Sequence, residues 1–405
     1  MQSNIFNERL QQAGTRVAHS VLSTRFQLDK NEQTDDVDFA LKQQVVNCLL
    51  NANWNRYPTS DYRDIEAKIA GYCDLQPENI ALSAGSASII TTLLDYFALN
   101  QKRIIITQPS YSLFDYHCQT YNINYESWLL TPELEYDYDN IPKLDANSVL
   151  IVTTPNNPVG NTFDAAKLEK LLTDNPQACI ILDAVYCEFC DMDIAPLVRK
   201  YENLIVLRSF SKAFPIAGLR LGYLCAAPKT TAAVRKLLLQ FSICHFSLIF
   251  AREMLFTPEF METSRRQVRE IIAERERMCR LLTDNYDRQT LKVFKSAGNF
   301  LLIRVFDDAA YKQLLADLEA AGIRVLNTSR FPLLYNTLRV SIGSRRENEA
   351  FLNCLHNSLA GVSADTALLA DLLQECFLAD KSRVGSGVGD MPRESWARAR
   401  QERRA

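Results

Sequence analysis

Residues 204–223 read LIVLRSFSKAFPIAGLRLGY, a stretch in which an apolar run ends abruptly in hydroxyl and basic side chains. It opens with an apolar run of the kind that forms a parallel strand buried on both faces. The run leads into Ser209, Ser211 and Lys212, and a second basic residue, Arg220, follows eight positions after the lysine. In open α/β sheets, ligands bind beyond the carboxyl ends of the strands. The stretch therefore predicts a buried strand whose end carries hydroxyls and an ammonium group into a ligand site.

Similar apolar runs precede this one, and amphipathic segments separate them. This alternation is typical of βαβ units and a mostly parallel sheet. We predict strands at Arg103–Thr107, Ser148–Thr153, Cys179–Asp183 and Leu204–Leu207, helices that include Ala165–Leu172 and Glu188–Tyr201, and long helices over 229–286.

The pattern changes after about residue 290, where shorter strands and helices indicate a smaller α+β lobe. The predicted fold class is α/β, with a mostly parallel central sheet covered by helices and this smaller lobe beside it. The sequence predicts an N-terminal arm (1–25), a segment joining the small lobe (26–59), a large cofactor-binding domain (60–290), a small C-terminal domain (291–360) and a peripheral or mobile extension (361–405).

The composition excludes several classes of protein. The chain has 405 residues and a net charge of -3, which provides no broad basic surface for nucleic acid or an anionic membrane. No apolar stretch approaches the roughly 20 residues that span a bilayer, and the first residues lack the pattern of a secretory signal. Eleven scattered cysteines suggest free thiols in a reducing compartment, so we expect a cytoplasmic protein. The Cys187–Cys190 pair lacks further ligands at metal spacing and is interpreted as two buried or partly buried thiols.

Functional side chains follow each predicted strand. Tyr111 comes after the first run, Asn157 after the second, and Asp183 ends the third, with Tyr186 three positions on. Because parallel strands end at one edge of a sheet, we expect these side chains to meet the groups that follow Leu207.

A predicted apolar helix begins at Gly85-Ser86 and offers free backbone amides and a favourable dipole to an anion. The assembled groups are anion donors, an aromatic face, neutral donors, a carboxylate and a lysine. The anion donors are Gly85, Ser86, Ala87, Ser209, Ser211 and Arg220, and the aromatic face is that of Tyr111. Asn157 and Tyr186 are the neutral donors, Asp183 is the carboxylate and Lys212 is the lysine.

A phosphorylated, planar, nitrogen-containing aldehyde uses every one of these groups, and pyridoxal 5'-phosphate (PLP) fits that description. Lys212 would form the Schiff base with the aldehyde. Asp183 would keep the ring nitrogen protonated, so that the ring accepts electrons from the substrate Cα. Asn157 and Tyr186 would hydrogen-bond the phenolic oxygen, and the freed Lys212 could move a proton between Cα and the cofactor. The predicted cofactor is PLP, and no metal site is expected.

The motifs of the chain resemble those of a class I/II aminotransferase of PLP fold type I, and most of all the histidinol-phosphate aminotransferase branch. The resemblance spans residues from about 26 to 360, and its most specific element is SFSKAFPIAGLRLGY. The matching stretches are LDKNE (28–32), RYP (56–58), SAGSAS (83–88), QPSYSLF (108–114), TPNNPVGN (154–161), ILDAVYCEF (181–189), SFSKAFPIAGLRLGY (209–223), SAGNF (296–300) and LRVSIG (338–343).

The resemblance implies a role for each matched position. Lys212 would be the Schiff-base lysine, with Asp183 as the pyridinium partner and Tyr111 stacked on the ring. Tyr57 would reach the phosphate of the neighbouring subunit's cofactor, so a homodimer is expected, with residues 26–59 in its interface. The substrate would be bound through its α-carboxylate by Arg339, with Asn299 and Asn31 nearby.

The sequence departs from the family pattern on the substrate side. Residues 31–36 lack the proline and glycine usual there and add Asp35 and Asp36, and Leu326 stands where a phosphate-binding arginine is expected. Arg324 or Arg330 could compensate, although neither is in register. We hypothesise a substrate other than histidinol phosphate, namely an amino acid with a cationic or polar side chain near the two aspartates. Alternatively, these aspartates cap or solvate a loop.

These features predict a PLP-dependent aminotransferase that acts on an α-amino acid or related amine and passes the amino group to a 2-oxo acid in a ping-pong scheme. Two alternatives stay open. The same scaffold could serve a decarboxylase or an amino-acid oxidase or hydroxylase, because substrate-side residues decide which Cα bond breaks. A catalytically silent ligand-binding module is the other alternative, and the retained Lys212, Asp183 and Arg220 argue against it.

Overall fold

A computed structural model of the chain describes residues 24–190 and 192–360. Nearly all of the predicted N-terminal arm and the whole predicted C-terminal extension lie outside the described residues, so both stay predictions. Among the helices of the described part, none is long and apolar enough to cross a membrane.

The strands form two large sheets and one small pair. In the seven-stranded sheet the order is β2-β8-β7-β6-β5-β3-β4, and β8 runs antiparallel to both of its neighbours while the other pairs are parallel. The strands are β1 (Phe26–Gln27), β2 (Ile80–Ser83), β3 (Arg103–Gln108), β4 (Glu126–Leu129), β5 (Ser148–Thr153), β6 (Cys179–Asp183), β7 (Leu204–Ser209), β8 (Gly222–Ala226), β9 (Leu291–Phe294), β10 (Phe300–Val305), β11 (Ile323–Arg324), β12 (Leu326–Asn327) and β13 (Thr337–Ser341).

Helices cover both faces of the large sheet, and the alternation of side chains along each strand creates two cores. In β5, Val149 and Ile151 pack into one core, and Leu150 and Val152 pack into the other. The helices are α1 (Phe39–Leu50), α2 (Arg63–Tyr72), α3 (Ser86–Leu99), α4 (Ser112–Tyr121), α5 (Ala165–Asp174), α6 (Ala195–Lys200), α7 (Pro228–Arg235), α8 (His245–Glu253), α9 (Pro258–Asn285), α10 (Asp308–Ala320) and α11 (Arg345–Leu359).

The predicted parallel strands are confirmed, but one predicted helix is wrong and another region is more divided than expected. Glu188–Tyr201 is not one helix: after a short turn at Cys187–Phe189, α6 begins only at Ala195. Pro196 lacks an N–H and is tolerated only in the first turn of a helix, so the helix starts there. The stretch 229–286 contains α7, α8 and α9, and the last break comes directly before Pro258.

The remaining strands form a four-stranded antiparallel sheet in the order β12-β13-β10-β9. The N-terminal segment is attached to this part of the molecule, because β1 pairs in parallel with β11. Beyond β1, the Ser341 N–H donates to the Leu28 carbonyl at 2.8 Å. The segment thereby lies between the small sheet and the carboxyl ends of the large one. The predicted domain boundaries themselves stay a prediction.

Candidate active site

Asp183 lies at the carboxyl end of β6, in the centre of the large sheet. It is 1% exposed, and within the described residues its Oδ1 atom has no hydrogen-bond partner. Burial raises the pKa of this carboxyl group to about 7, although a backbone N–H at Val185 and the positive charge of Lys212 act in the opposite direction. A buried carboxylate oxygen without a donor is unfavourable. Asp183 is therefore suited to a ligand that brings an N–H group to it.

Lys212 lies on the loop that follows β7, and its ammonium group is held close to the N-terminal segment. Nζ donates a hydrogen bond to the Lys30 carbonyl at 2.9 Å. Burial lowers the pKa of Lys212 to about 8, and the nearby guanidinium of Arg339 lowers it further, while Glu32 opposes the shift. At neutral pH a minor fraction of this lysine, larger than for an ordinary lysine, is therefore an uncharged amine. This is the form that a nucleophile and proton acceptor requires.

A cradle for an anion forms where β8 meets the start of α3. Strand pairing sets Gly222 beside both Ser83 and Ser209, and a Cβ atom at Gly222 would lie 2.3 Å from the backbone nitrogen of Ser86. Gly85 has a left-handed φ of 82°, and a Cβ atom there would lie 3.1 Å from Nη2 of Arg220. The free amides at the N-terminus of α3, which include Ala87, thus lie next to a guanidinium group, an arrangement that suits a phosphate.

The hydroxyl groups after β7 lie at the same edge of the sheet. The Ser209 side chain accepts a hydrogen bond from the Ser211 backbone N–H at 3.1 Å, which shapes the turn before Lys212. The structure thus brings together the predicted phosphate-binding residues of this chain, namely Gly85, Ser86, Ala87, Ser209, Ser211 and Arg220.

Neutral donors and aromatic rings surround the space in front of Asp183. Tyr186 is buried, and its hydroxyl accepts a hydrogen bond from Nδ2 of Asn31 at 2.9 Å. Burial raises the pKa of Tyr186 to about 12, so this phenol keeps its proton. Asn157 lies beyond the end of β5 and accepts from Nη1 of Arg339 at 2.5 Å. Tyr111 is the residue before α4, and its ring meets Phe114 edge-on.

Arg339 lies on the substrate side of this space. It is 4% exposed and donates to Asn157 and to the carbonyl of Asp29. Its guanidinium carbon lies 5.3 Å from the centre of the Phe300 ring, and its Nε atom has no partner among the described residues. Asn299 is fully buried and donates to the Asn31 carbonyl at 3.0 Å. The predicted substrate residues therefore lie together, although Asn31 turns its side chain toward Tyr186.

The residues that depart from the family pattern on the substrate side have different surroundings in the structure. Leu326 lies directly opposite Arg339 in the antiparallel pair of β12 and β13, so the two side chains share a face. Arg324 instead donates to the Thr24 hydroxyl, and Arg330 lies over the ring of Phe331. Asp36 forms an ion pair with Lys42 and accepts from the Val37 N–H, which supports the capping alternative for this aspartate.

Tyr57 is far from these contacts in its own chain. It is 82% exposed and stacks on Phe241, with 5.1 Å between ring centres. The structure also adds residues that the sequence analysis missed. Gln33 donates to the Lys212 carbonyl at 3.0 Å, and Ser341 contacts both the backbone and the side chain of Asn31. Ser341 could have been found from strand alternation, because it stands two positions after Arg339 and shares its face.

The chain is similar in sequence to aminotransferases. The family "Aminotransferase class I and II" matches residues 24–355, and the chain belongs to it. It is 31% identical to histidinol-phosphate aminotransferase of Thermococcus gammatolerans, over 84% of this chain and 93% of the relative. It is equally 31% identical to histidinol-phosphate aminotransferase of Chlorobium luteolum, over 89% of this chain and 100% of the relative.

Solved structures agree on the fold. Histidinol-phosphate aminotransferase of Clostridium acetobutylicum has a TM-score of 0.74 at 22% identity and covers 83% of this chain and 100% of its own. The enzyme of Sinorhizobium meliloti, solved with pyridoxal 5'-phosphate, also has a TM-score of 0.74, at 19% identity, over 89% of this chain and 100% of its own. The chain therefore has PLP fold type I and is a PLP-dependent transaminase. The unpartnered oxygen of Asp183 and the anion cradle at Gly85 fit this cofactor.

Proposed function

We propose that Lys212 is the amine that binds the aldehyde of PLP and that Asp183 is the partner of its ring nitrogen. The observation that carries this assignment is the buried Oδ1 atom of Asp183, which has no partner within the described residues and lies near enough to Lys212 for their charges to interact. Bound PLP supplies an electron sink for the bond that breaks at the substrate Cα. Asp183, placed against the ring nitrogen, favours its protonated form, which strengthens that sink.

The other residues of the site hold the reacting groups and move the proton. Lys212, whose pKa is about 8, accepts a proton from the substrate Cα as an uncharged amine and returns it on the cofactor side. Tyr186 and Asn157 hydrogen-bond the ring oxygen, and Tyr111 covers one face of the ring. The phosphate is held by Arg220, the serines after β7 and the amides that open α3.

We propose that the amino donor is an α-amino acid whose carboxylate binds to Arg339. The planar guanidinium group matches a carboxylate in a two-point contact, and its Nε atom is buried without a partner in the part of the chain that the structure describes. A 2-oxo acid carries the same carboxylate, so one arginine can serve both halves of a ping-pong cycle. The acceptor is therefore expected to be a 2-oxo acid that uses the same contacts.

Several relatives are named histidinol-phosphate aminotransferases, so histidinol phosphate is the substrate against which others are compared. The residues beside Arg339 in this chain favour a substrate without a phosphate group. Leu326 presents an apolar side chain on the face that carries Arg339. Arg324 and Arg330 are engaged with Thr24 and Phe331. A second phosphate group would thus meet leucine where a cation is needed. We therefore propose a donor whose side chain carries no phosphate at this position.

The proposal also includes a homodimer. Residues 39–57 and 239–241 present apolar and aromatic side chains to solvent, although such groups are usually covered. In this arrangement Tyr57 would lie at the phosphate of the partner's site. The placement in the cytoplasm is likewise proposed, on the basis that the described cysteines are free thiols. The exposed side chains are Phe39, Val46, Leu50, Trp54, Tyr57, Leu239 and Phe241.

The function is tested by adding a panel of amino acids and histidinol phosphate to the PLP-loaded enzyme and following its visible absorbance. Conversion of the cofactor to its amine form, reversed by a 2-oxo acid, is expected for an unphosphorylated amino acid. Release of carbon dioxide, or oxygen consumption without any need for a 2-oxo acid, would favour the decarboxylase or oxidase alternative. Faster conversion by histidinol phosphate than by every amino acid would refute the substrate assignment.

The dimer is tested by mixing two inactive variants, Tyr57→Ala and Lys212→Ala. In a mixed dimer, one site has both defects and the other has neither, because Tyr57 crosses the interface while Lys212 stays in its own chain. Recovery of activity on mixing, together with a dimeric mass in solution, is expected. A monomeric mass, or no recovery between variants that exchange subunits, would contradict the shared site.

A further inference from the structure

Asn31 occupies an unusual position between the small sheet and the cofactor site. Its side chain is 0% exposed and its φ is 55°, a left-handed value that asparagine tolerates better than most residues. The segment around it is fastened on both sides: the Lys30 carbonyl accepts from Lys212 and the Gln33 side chain donates to the Lys212 carbonyl. Asn31 is thus part of the wall around Lys212, and its amide points at the Tyr186 hydroxyl.

The orientation of the Asn31 amide follows from its contacts with Ser341. The Asn31 backbone N–H donates to Oγ of Ser341 at 2.8 Å, and the Ser341 hydroxyl donates to Oδ1 of Asn31, also at 2.8 Å. If the amide were turned over, its NH₂ group would face Ser341 and the serine proton would lose this acceptor. Ser341 is buried, and an unsatisfied buried donor costs about 1–3 kcal/mol. Ser341 therefore keeps Oδ1 on its own side and directs Nδ2 to Tyr186.

This orientation decides the direction of the hydrogen bond at Tyr186. Nδ2 of Asn31 is a donor, so the Tyr186 oxygen accepts at 2.9 Å and its own proton stays available for another partner. The phenol has a single proton. Its hydroxyl can donate a hydrogen bond to the ring oxygen of the cofactor only if that proton is not already engaged by a protein acceptor. An amide oxygen in place of Nδ2 would be such an acceptor.

We propose that Asn31 and Ser341 form a positioning pair that makes Tyr186 a hydrogen-bond donor to the cofactor's ring oxygen. Asn31 is predicted from the sequence to bind substrate, but in this arrangement its side chain has a different role. This role rests on the proposed function of Tyr186. The ring oxygen is anionic in the working cofactor, and a donated hydrogen bond disperses its charge. The N–H group through which Lys212 would be joined to the cofactor then loses its proton at lower pH. This pKa sets the pH range in which the enzyme is ready for substrate.

The test is the pH titration of the visible absorbance of the PLP-loaded protein, which reports the protonation of the cofactor rather than turnover. Asn31→Asp keeps the shape of the side chain but replaces the donor with a carboxylate, which accepts a hydrogen bond from the Tyr186 hydroxyl. The absorbance midpoint is expected to rise by about one pH unit or more. Asn31→Gly is the matched control, because glycine adopts the left-handed backbone conformation and the donor is removed without adding an acceptor. A much smaller shift of the absorbance midpoint is expected for this variant.

A second background separates action through Tyr186 from the direct effect of the new charge. In Tyr186→Phe, Asn31→Asp is expected to shift the midpoint by less than half as much as it does with Tyr186 present. Equal shifts in the two backgrounds, or no shift in either, would overturn the proposal.

Ser341→Ala provides an independent variant without any added charge. It frees the amide to turn, so a midpoint shift of about half a unit is expected with Asn31 present and none in the Asn31→Gly background. A shift that persists without the Asn31 side chain would contradict the positioning pair. Thermal unfolding of the cofactor-free variants checks that each is folded. A wild-type protein without any visible absorbance would refute the proposed function, whereas a normal wild-type titration with unresponsive variants would refute this inference alone.

Discussion

The site has two halves that are built in different ways. The cofactor floor consists of the ends of β3, β5, β6 and β7 with the start of α3, and strand register within one sheet holds its groups together. The substrate wall consists of residues 28–33, 299–300 and 326–341. Its contacts join distant parts of the chain, as when Ser341 donates to Asn31 across 310 positions. The floor is therefore assembled by local order along the sheet, and the wall only by long-range packing.

The halves also differ in electrostatics. The floor contains groups that burial holds away from their ordinary charge states, with the pKa of Asp183 raised to about 7 and that of Lys212 lowered to about 8. In the wall, burial lowers the pKa of Arg339 as well, but a guanidinium group stays charged, and it is engaged by Asn157 and the Asp29 carbonyl. We propose that the floor carries the reaction and that the wall carries the choice of substrate. Variants in the two halves should consequently fail in different ways.

The largest effect is expected for Lys212→Ala in the floor. Removal of the nucleophile and proton carrier should lower kcat by about 10⁴-fold or more and abolish the visible absorbance that depends on lysine. Lys30→Ala is the matched control, because this residue contributes its backbone carbonyl to Lys212 rather than its side chain. Absorbance spectra and kcat check both variants. An unchanged spectrum in Lys212→Ala would contradict the proposed bond between Lys212 and the cofactor.

The second prediction concerns the stability of the cofactor-free floor. The pKa of Asp183 is raised from 3.8 in the unfolded chain to about 7 in the folded one, so the folded state binds the extra proton in this window. The stabilisation that Asp183 contributes is therefore fully present below about pH 4 and is lost as the pH rises to about 7. The loss is at most about 4 kcal/mol, or about 10³-fold in the folding equilibrium. Denaturant unfolding from pH 4 to 8 measures this loss, and Asp183→Asn should lack it. The same slope in both proteins would contradict the assignment.

In the wall, Arg339→Lys should change substrate binding and leave the cofactor in place. Replacing the two-point guanidinium contact with a single ammonium should lower kcat/KM for the amino acid by about 100-fold. The visible spectrum before substrate addition should change little, because lysine keeps the positive charge near Lys212. Arg304→Lys, on the neighbouring strand but bonded to the Leu333 carbonyl, is the matched control. If the spectrum changed as much as kcat/KM, the separation between floor and wall would not hold.

The smallest effect is expected for Leu326→Arg, which adds a cation opposite Arg339. Turnover of histidinol phosphate relative to an uncharged amino acid should improve about 10-fold, in proportion to one new charged contact. Competition between the two substrates measures this ratio directly, and Leu326→Met controls for the change in side-chain length. A ratio that stays the same in the arginine variant would show that position 326 does not face the substrate.

Much of the floor could be predicted from the sequence because each of its groups directly follows a recognisable strand. The strands Ser148–Thr153 and Cys179–Asp183 have the predicted bounds. The predicted helix Glu188–Tyr201 is wrong because Pro196 is tolerated only in the first turn of a helix, so the helix begins at Ala195. In the wall, the sequence showed that Leu326 and residues 31–36 are unusual, but it could not show which of them face the site.

The cofactor chemistry of this protein is encoded in local sequence patterns. Apolar runs that end in Asp183 and in the Ser209–Lys212 turn specify a buried sheet with a carboxylate and an amine at its edge, because strand ends are set by local pattern. The tertiary structure was needed to show that Asn31 donates to the Tyr186 hydroxyl and that Leu326 lies opposite Arg339. Those contacts depend on how the N-terminal segment and the small sheet pack against the large one, and packing over such distances leaves no local signal in the chain.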